Sequence, residues 1–194
     1  MDNFIYDFET LSINKVNGVV VNLAALEYDS TRFKSNPYEF SELVNNCKII
    51  KFDVKDQMKN GRTTEASVLD WWKSLPKEVS NQILPSSEDR PISELRDWLT
   101  SNYDFNSFKN VFTRGNTFDP IFLEYIFKQF DQQEVHPHWK IRDTRSYLDG
   151  LLHGTGLNDK FMPSELDIEF RHHDPAHDIA LDVMRMQTIL KNLP

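Results

Sequence analysis

The chain has 194 residues, 39% of them hydrophobic and 27% charged, with a formal net charge of −8. That composition fits one soluble globular domain over residues 1–194 with a sizeable core, and the acidic balance weighs mildly against nucleic acid. The single Cys47 excludes an internal disulfide and a multi-cysteine metal cage, and the absence of a membrane-length apolar run or a secretory leader pattern leads us to expect a cytoplasmic protein.

In chain order, residues 3–9 (NFIYDFE) are a short apolar strand. Residues 18–29 open on a glycine and read as a second strand, and 48–54 (KIIKFDV) alternate as a third. The polar, turn-rich stretch 30–40 reads as a loop and 55–64 as irregular. Helical spacing follows at 65–73 (EASVLDWWK), then a linker at 84–91, then a helix with Ile92, Leu95, Trp98 and Leu99 on one side. Residues 110–115 are a strand, and 119–130 a helix with Pro120 at a tolerated first position. Residues 139–144 are a further strand, followed by a helix to about residue 152. A polar stretch leads to a last helix from about Asp174 to Leu193. This order predicts an α/β fold: a mixed, roughly five-stranded sheet flanked by helices.

Residues i and i+2 of a strand share a face. Asp7 and Glu9 therefore project together beside Ile5, while Phe4, Tyr6 and Phe8 take the other face. Two carboxylates against apolar surface repel one another and lose hydration, so something positive must stand opposite. An Arg or Lys would serve; a hard divalent cation, which prefers carboxylate oxygen, would serve better. Asp119 precedes an apolar helix and taken alone reads as its N-cap. Asp182 lies on the stripe Ile179, Asp182, Met186, Ile189 and Leu193 of the last helix. Asp178, one turn earlier, reads as an ordinary surface pair with Arg185. His173 and His177 have the i, i+4 spacing of a helical zinc site, and His136 and His138 flank Pro137, but Asp174-Pro175 starts the helix after His173.

The stretches "DFET", "GNTFDPIFL" and "HDIALD" resemble, in order, the three motifs of the DEDD exonuclease superfamily in its DEDDh branch. "IKFDVKDQ", "DWWK" and "RGNTFD" are similar more closely to the DexA-type bacteriophage exonucleases and to the small exoribonuclease domains related to them. The resemblance implies an RNase H-like fold and a metal-dependent 3′–5′ exonuclease. It implies Asp7, Glu9, Asp119 and Asp182 as ligands of two Mg²⁺ or Mn²⁺ ions, and His177 as general base. His173 and Asp178 repeat the spacing of His177 and Asp182; the second pair is preferred because Asp182 falls within the helix on its apolar side. The loop after the first motif, "LSINKVNG", departs from the family in delaying its glycine to Gly18.

The chemistry accounts for the residue types. Two cations about 3.5–4 Å apart clamp the attacking and leaving oxygens of a phosphodiester, and a histidine, with an ordinary pKa of about 6.5, suits proton removal from the water. Thr10 and Leu11 follow the first motif, where the family positions and wedges the terminal nucleotide; Asn116 orders the second. Trp71 and Trp72 offer stacking faces about 100° apart on a helix, so one at most faces substrate, and Trp72 is the candidate. Arg114, Lys140, Arg142 and Arg145 could form a phosphate-facing patch; Asp143 is a strand-end acid. The expected activity is release of nucleoside monophosphates from single-stranded 3′ ends, of DNA by the nearest resemblance and in a host cytoplasm if the source is a phage. An exoribonuclease on short or tailed RNA, or a catalytically silent nucleic-acid-binding module on the same fold, is the alternative. The expected partners are nucleic-acid 3′ ends and no membrane, with a homodimer allowed.

Overall fold

The computed structural model describes residues 1–192, so Leu193, at the expected end of the last helix, lies outside the described residues. The chain runs β1 (Asn3–Thr10), β2 (Val20–Tyr28), α1 (Arg32–Ser35), α2 (Phe40–Asn46), β3 (Lys48–Lys51), α3 (Val54–Lys59), α4 (Ala66–Ser74) and α5 (Lys77–Ser80). It continues through α6 (Leu95–Asn102), β4 (Asn110–Thr113), α7 (Asp119–Gln129), β5 (Ile141–Asp143), α8 (Thr144–Leu152) and α9 (Pro175–Leu190), with 3-10 turns at Asn81–Ile83, Ile92–Glu94 and His138–Lys140. Among the described residues no helix is long and apolar enough to cross a membrane.

As expected, the five strands form one mixed sheet; their order is β3-β2-β1-β4-β5. β1 is central, antiparallel to β2 and parallel to β4. Its alternation buries both faces. Phe4, Tyr6 and Phe8 pack with Leu99, Phe122 and Phe127 under α6 and α7; Ile5 packs with Ala24, Leu26, Ile179 and Val183 under α9. The register with β4 ends at Ile5↔Phe112, whereas β1 stays paired with β2 as far as Thr10. The end of β1 that carries Asp7 and Glu9 therefore projects past its parallel neighbour.

Four helices, α1, α2, α3 and α5, arise where no helix was expected. The strand expected over 48–54 stops at Lys51, because Asp53 caps α3 by accepting hydrogen bonds from the N–H groups of Lys55 and Asp56. Gln57 of α3 is fully buried; its amide takes the Val20 N–H at 2.9 Å and gives to the Val20 carbonyl at 2.7 Å, fixing the start of β2. α1 and α2 fall in or beside the expected loop and pack on α9.

Trp72 is corrected here. It is completely buried with Leu11, Val19 and Val21, and its Nε1 donates to the Thr10 carbonyl at 2.9 Å. It cannot stack on substrate because its faces are already packed. Trp72→Ala should destabilise the protein by about 3–5 kcal/mol in urea unfolding; a loss below about 1 kcal/mol, the size seen at ordinary surface positions, would contradict this packing.

Candidate active site

Asp7 and Glu9 share the α9 face of the sheet with Ile5. One carboxylate oxygen from each of Asp7, Glu9 and Asp178 lies within 4.8 Å of the other two; among the described residues this is the one group of three or more His, Cys, Asp or Glu so arranged. Asp119, the first residue of α7 and 2% exposed, approaches from the other side. Its Oδ1 accepts the Phe8 N–H at 3.1 Å, on the stretch of β1 beyond its register with β4. Two strand residues and two helix starts thus bring four acids to the end of β1. The set is all carboxylate oxygen, the donor chemistry of a hard divalent cation.

Asp182, expected as the fourth ligand, lies outside that group of oxygens, although its charge acts on Asp7 and Asp178. It is 1% exposed, and its Oδ1 is held by Arg114 Nη1 at 2.7 Å and Arg185 Nη1 at 2.9 Å. Its Oδ2 takes the Thr144 hydroxyl at 2.6 Å. Arg114 continues to Asp159, and Arg185 to the Phe161 carbonyl. Asp182 ties together the end of β4, the start of α8, the 159–161 segment and α9. The expected pairing of Asp178 with Arg185 fails for the same reason: Arg185 is turned to Asp182.

The histidines follow the same shift. His177 is 1% exposed, edge-on to Phe40 at 5.4 Å between ring centroids, with both ring nitrogens facing Arg171. It is a packed core side chain. His173 is half-buried, its ring 4.9 Å from that of Trp71, and its backbone N–H draws down the pKa of the Asp178 carboxyl. It precedes Asp174, whose side chain caps α9 through the N–H groups of Ala176 and His177. His136 is buried beside Phe105, and among the described residues no group of three or more metal-ligating side chains includes a histidine.

The substrate contacts expected from the first motif also need correction. Leu11 is 4% exposed within the Trp72 cluster, so it is no wedge. Thr10 is buried, its hydroxyl given to the Ser12 carbonyl. Asn116 is exposed, and its backbone N–H bonds Asp143, the N-cap of α8. Arg114 is committed to Asp182 and Asp159, and Lys140 to the Phe105 carbonyl. Arg145 is exposed, and its charge partly offsets the rise in the Asp119 pKa. A cavity of about 210 Å³ lined by Pro120, Ile121, Phe127 and His136 lies beside α7 and holds none of the four acids.

A mixed sheet in this order, with acids gathered at the end of its central strand, is the RNase H-like arrangement of the DEDD-type 3′–5′ exonucleases. The model of the Rv2179c-like 3′-5′ exoribonuclease domain family matches residues 2–190, and the chain belongs to that family. It is similar to the exodeoxyribonuclease of Enterobacteria phage T4, with 30% identity over 212 residues, 98% of this chain and 90% of the phage protein. Among solved structures, Escherichia coli Exonuclease I with a dT13 oligonucleotide matches at a TM-score of 0.63 and 14% identity, over 96% of this chain and 40% of that one. Its dA16 complex matches at 0.63 and 15%, over 98% and 41%. The chain thus spans about two fifths of Exonuclease I, and that likeness shows the fold. The protein is a DEDD-type 3′–5′ exonuclease.

Burial first, then the neighbouring carboxylates, hold Asp7 and Glu9 well above the usual carboxylate range. Burial likewise lifts Asp119 to about 7, against the pull of the Phe8 N–H, and Asp178 to about 7, with Asp182 and Asp174 adding to the rise. The folded state therefore binds more protons than the unfolded chain between the ordinary carboxylate range and about 7. Stability falls as pH rises through that window. Without divalent cation, the melting temperature should decline from about pH 4–5 to neutrality, and Mn²⁺ should recover it above neutrality. Asp178→Asn should flatten the decline, whereas Asp182→Ala should cost about 3–5 kcal/mol by leaving the buried Arg185 guanidinium without its carboxylate and Arg114 with Asp159 alone. The reverse pattern between these two variants would contradict the placement of α9.

Proposed function

We propose that this exonuclease releases nucleoside monophosphates stepwise from single-stranded 3′ ends, using Asp7, Glu9, Asp119 and Asp178 to hold two divalent cations and His173 to accept a proton. The observation that carries the reading is the meeting of Asp7, Glu9 and Asp178 oxygens within 4.8 Å. Mg²⁺ or Mn²⁺ bound there would lower the pKa of a water and neutralise charge at the phosphate. The chain itself supplies fixed carboxylates and the imidazole of His173, whose backbone N–H acts on the Asp178 carboxyl. Burial, with the charge of His172, lowers the His173 pKa, so the ring is neutral and able to take a proton at neutral pH. The Phe8 N–H holds Asp119 toward the strand end.

DNA is the favoured substrate, supported by the 30% identity to a phage exodeoxyribonuclease along nearly the whole of both chains. RNA is the second reading, favoured by the exoribonuclease description of the family.

End-labelled DNA and RNA oligomers of one sequence test the proposal side by side. Mg²⁺ or Mn²⁺ should support digestion and EDTA should abolish it. Alanine at Asp7, Glu9, Asp119 or Asp178 should remove nearly all turnover with the fold retained. His173→Ala should lower kcat by about 10²–10⁴-fold, while folded His177→Ala protein should keep most of its turnover. A clear preference for RNA would select the second reading. Cleavage of a circle, or release beginning from a 5′ end, would sink the 3′-end mechanism.

A further inference from the structure

We infer that Gln82 is a positioning residue for His173, bridging β2 to the turn that carries the imidazole, with Trp71 as the wall on which the ring rests. The inference rests on the reading of His173 as the proton acceptor. Asn22 of β2 is paired directly with Glu9 of β1, and directly opposed residues share a face. Asn22 is 3% exposed; its Nδ2 donates to Gln82 Oε1 at 3.4 Å, and its Oδ1 has no partner among the described residues. Gln82 Nε2 then donates to the His173 carbonyl at 3.1 Å. A two-amide relay thus connects the residue opposite Glu9 to the backbone of His173.

Stability does not explain the relay. A buried amide with one long hydrogen bond and an orphaned oxygen costs more desolvation than it recovers. The turn it reaches is unusual too. His173 has φ of 61°, in the left-handed region that a residue with a side chain seldom adopts. Such a conformation persists when surrounding structure over-determines it. Much of that surrounding structure comes from one stretch of chain, beside Asp178 and His172. Trp72 anchors that stretch to the Thr10 carbonyl; Trp71, 40% exposed, meets the His173 ring edge-to-face at 84°; Gln82 follows in the next 3-10 turn. The same stretch therefore touches the end of β1, the pairing partner of Glu9 and the proposed base. It sets the distance between imidazole and carboxylates, a quantity for which an error of about 1 Å costs on the order of 100-fold in rate.

The test uses the full chain with a labelled single-stranded oligomer and Mn²⁺. Gln82→Ala should lower kcat by about 10-fold or more, with KM and Mn²⁺ affinity within about twofold of the original. Gln82→Glu keeps the acceptor for Asn22 but loses the donor to His173, and should behave like Gln82→Ala. In a His173→Ala background the Gln82→Ala change should cost nothing further, because a positioning residue has nothing left to position. Full turnover in His173→Ala alone would overturn the reading of the base. A damaged His173→Ala beside an unimpaired, folded Gln82→Ala would overturn the positioning role alone. So would equal losses from Gln82→Ala in both backgrounds, or a change confined to KM.

Discussion

The structure depends on holding like charges together at the end of a buried strand. Asp7 and Glu9 sit on β1 because the two-residue period of a strand leaves them no other face, and Asp178 and Asp119 are delivered by helices packed on opposite sides of the sheet. Nothing in the mutual electrostatics of four carboxylates favours that meeting. It is imposed by the apolar packing of β1, α7 and α9, and tolerated through proton uptake, with Asp119 and Asp178 lifted to about 7. A divalent cation would remove the conflict, so such a site costs stability when bare and would gain it when loaded.

Two acids of α9, four residues apart, have opposite fates. Asp178 lies in the first turn of the helix, at the strand end; Asp182 lies one turn deeper, where Arg114, Arg185 and Thr144 enclose it. The first is an acid in search of a cation, the second already has two. The Asp182 cluster fastens α9 to the end of β4 and the start of α8, and so fixes where the first turn of α9 meets β1. One helix thus carries both the acid that meets Asp7 and Glu9 and the anchor that aims it.

Much of this was legible from sequence, and the failures have physical causes. Strands at 3–10 and 110–113, and helices at 66–74, 119–129 and 175–190, were marked by period, caps and prolines that are local signals. The face shared by Asp7 and Glu9 was equally local. The helices at 40–46 and 54–59 were missed because tertiary contacts sustain them: Phe40 against His177, and Gln57 against the Val20 backbone. The choice of Asp182 over Asp178 treated burial on the apolar stripe as a sign of chemistry. The i, i+3 spacing of Asp182 and Arg185 was the available signal that this burial is compensated within the helix itself. Leu11 was read as a wedge after the first motif and Trp72 as a stacking face on its helix, whereas the two pack together in a satellite core with Val19 and Val21.

The central claim is that the third motif contributes Asp178, and it is tested most directly by locating manganese in the crystal through its anomalous scattering, with a single-stranded 3′ end bound. The account predicts a peak at about 2.0–2.3 Å from carboxylate oxygens of Asp7, Glu9 and Asp178, with Asp182 still bound to Arg114 and Arg185. A peak coordinated by Asp182, with Asp178 turned to solvent, would contradict it.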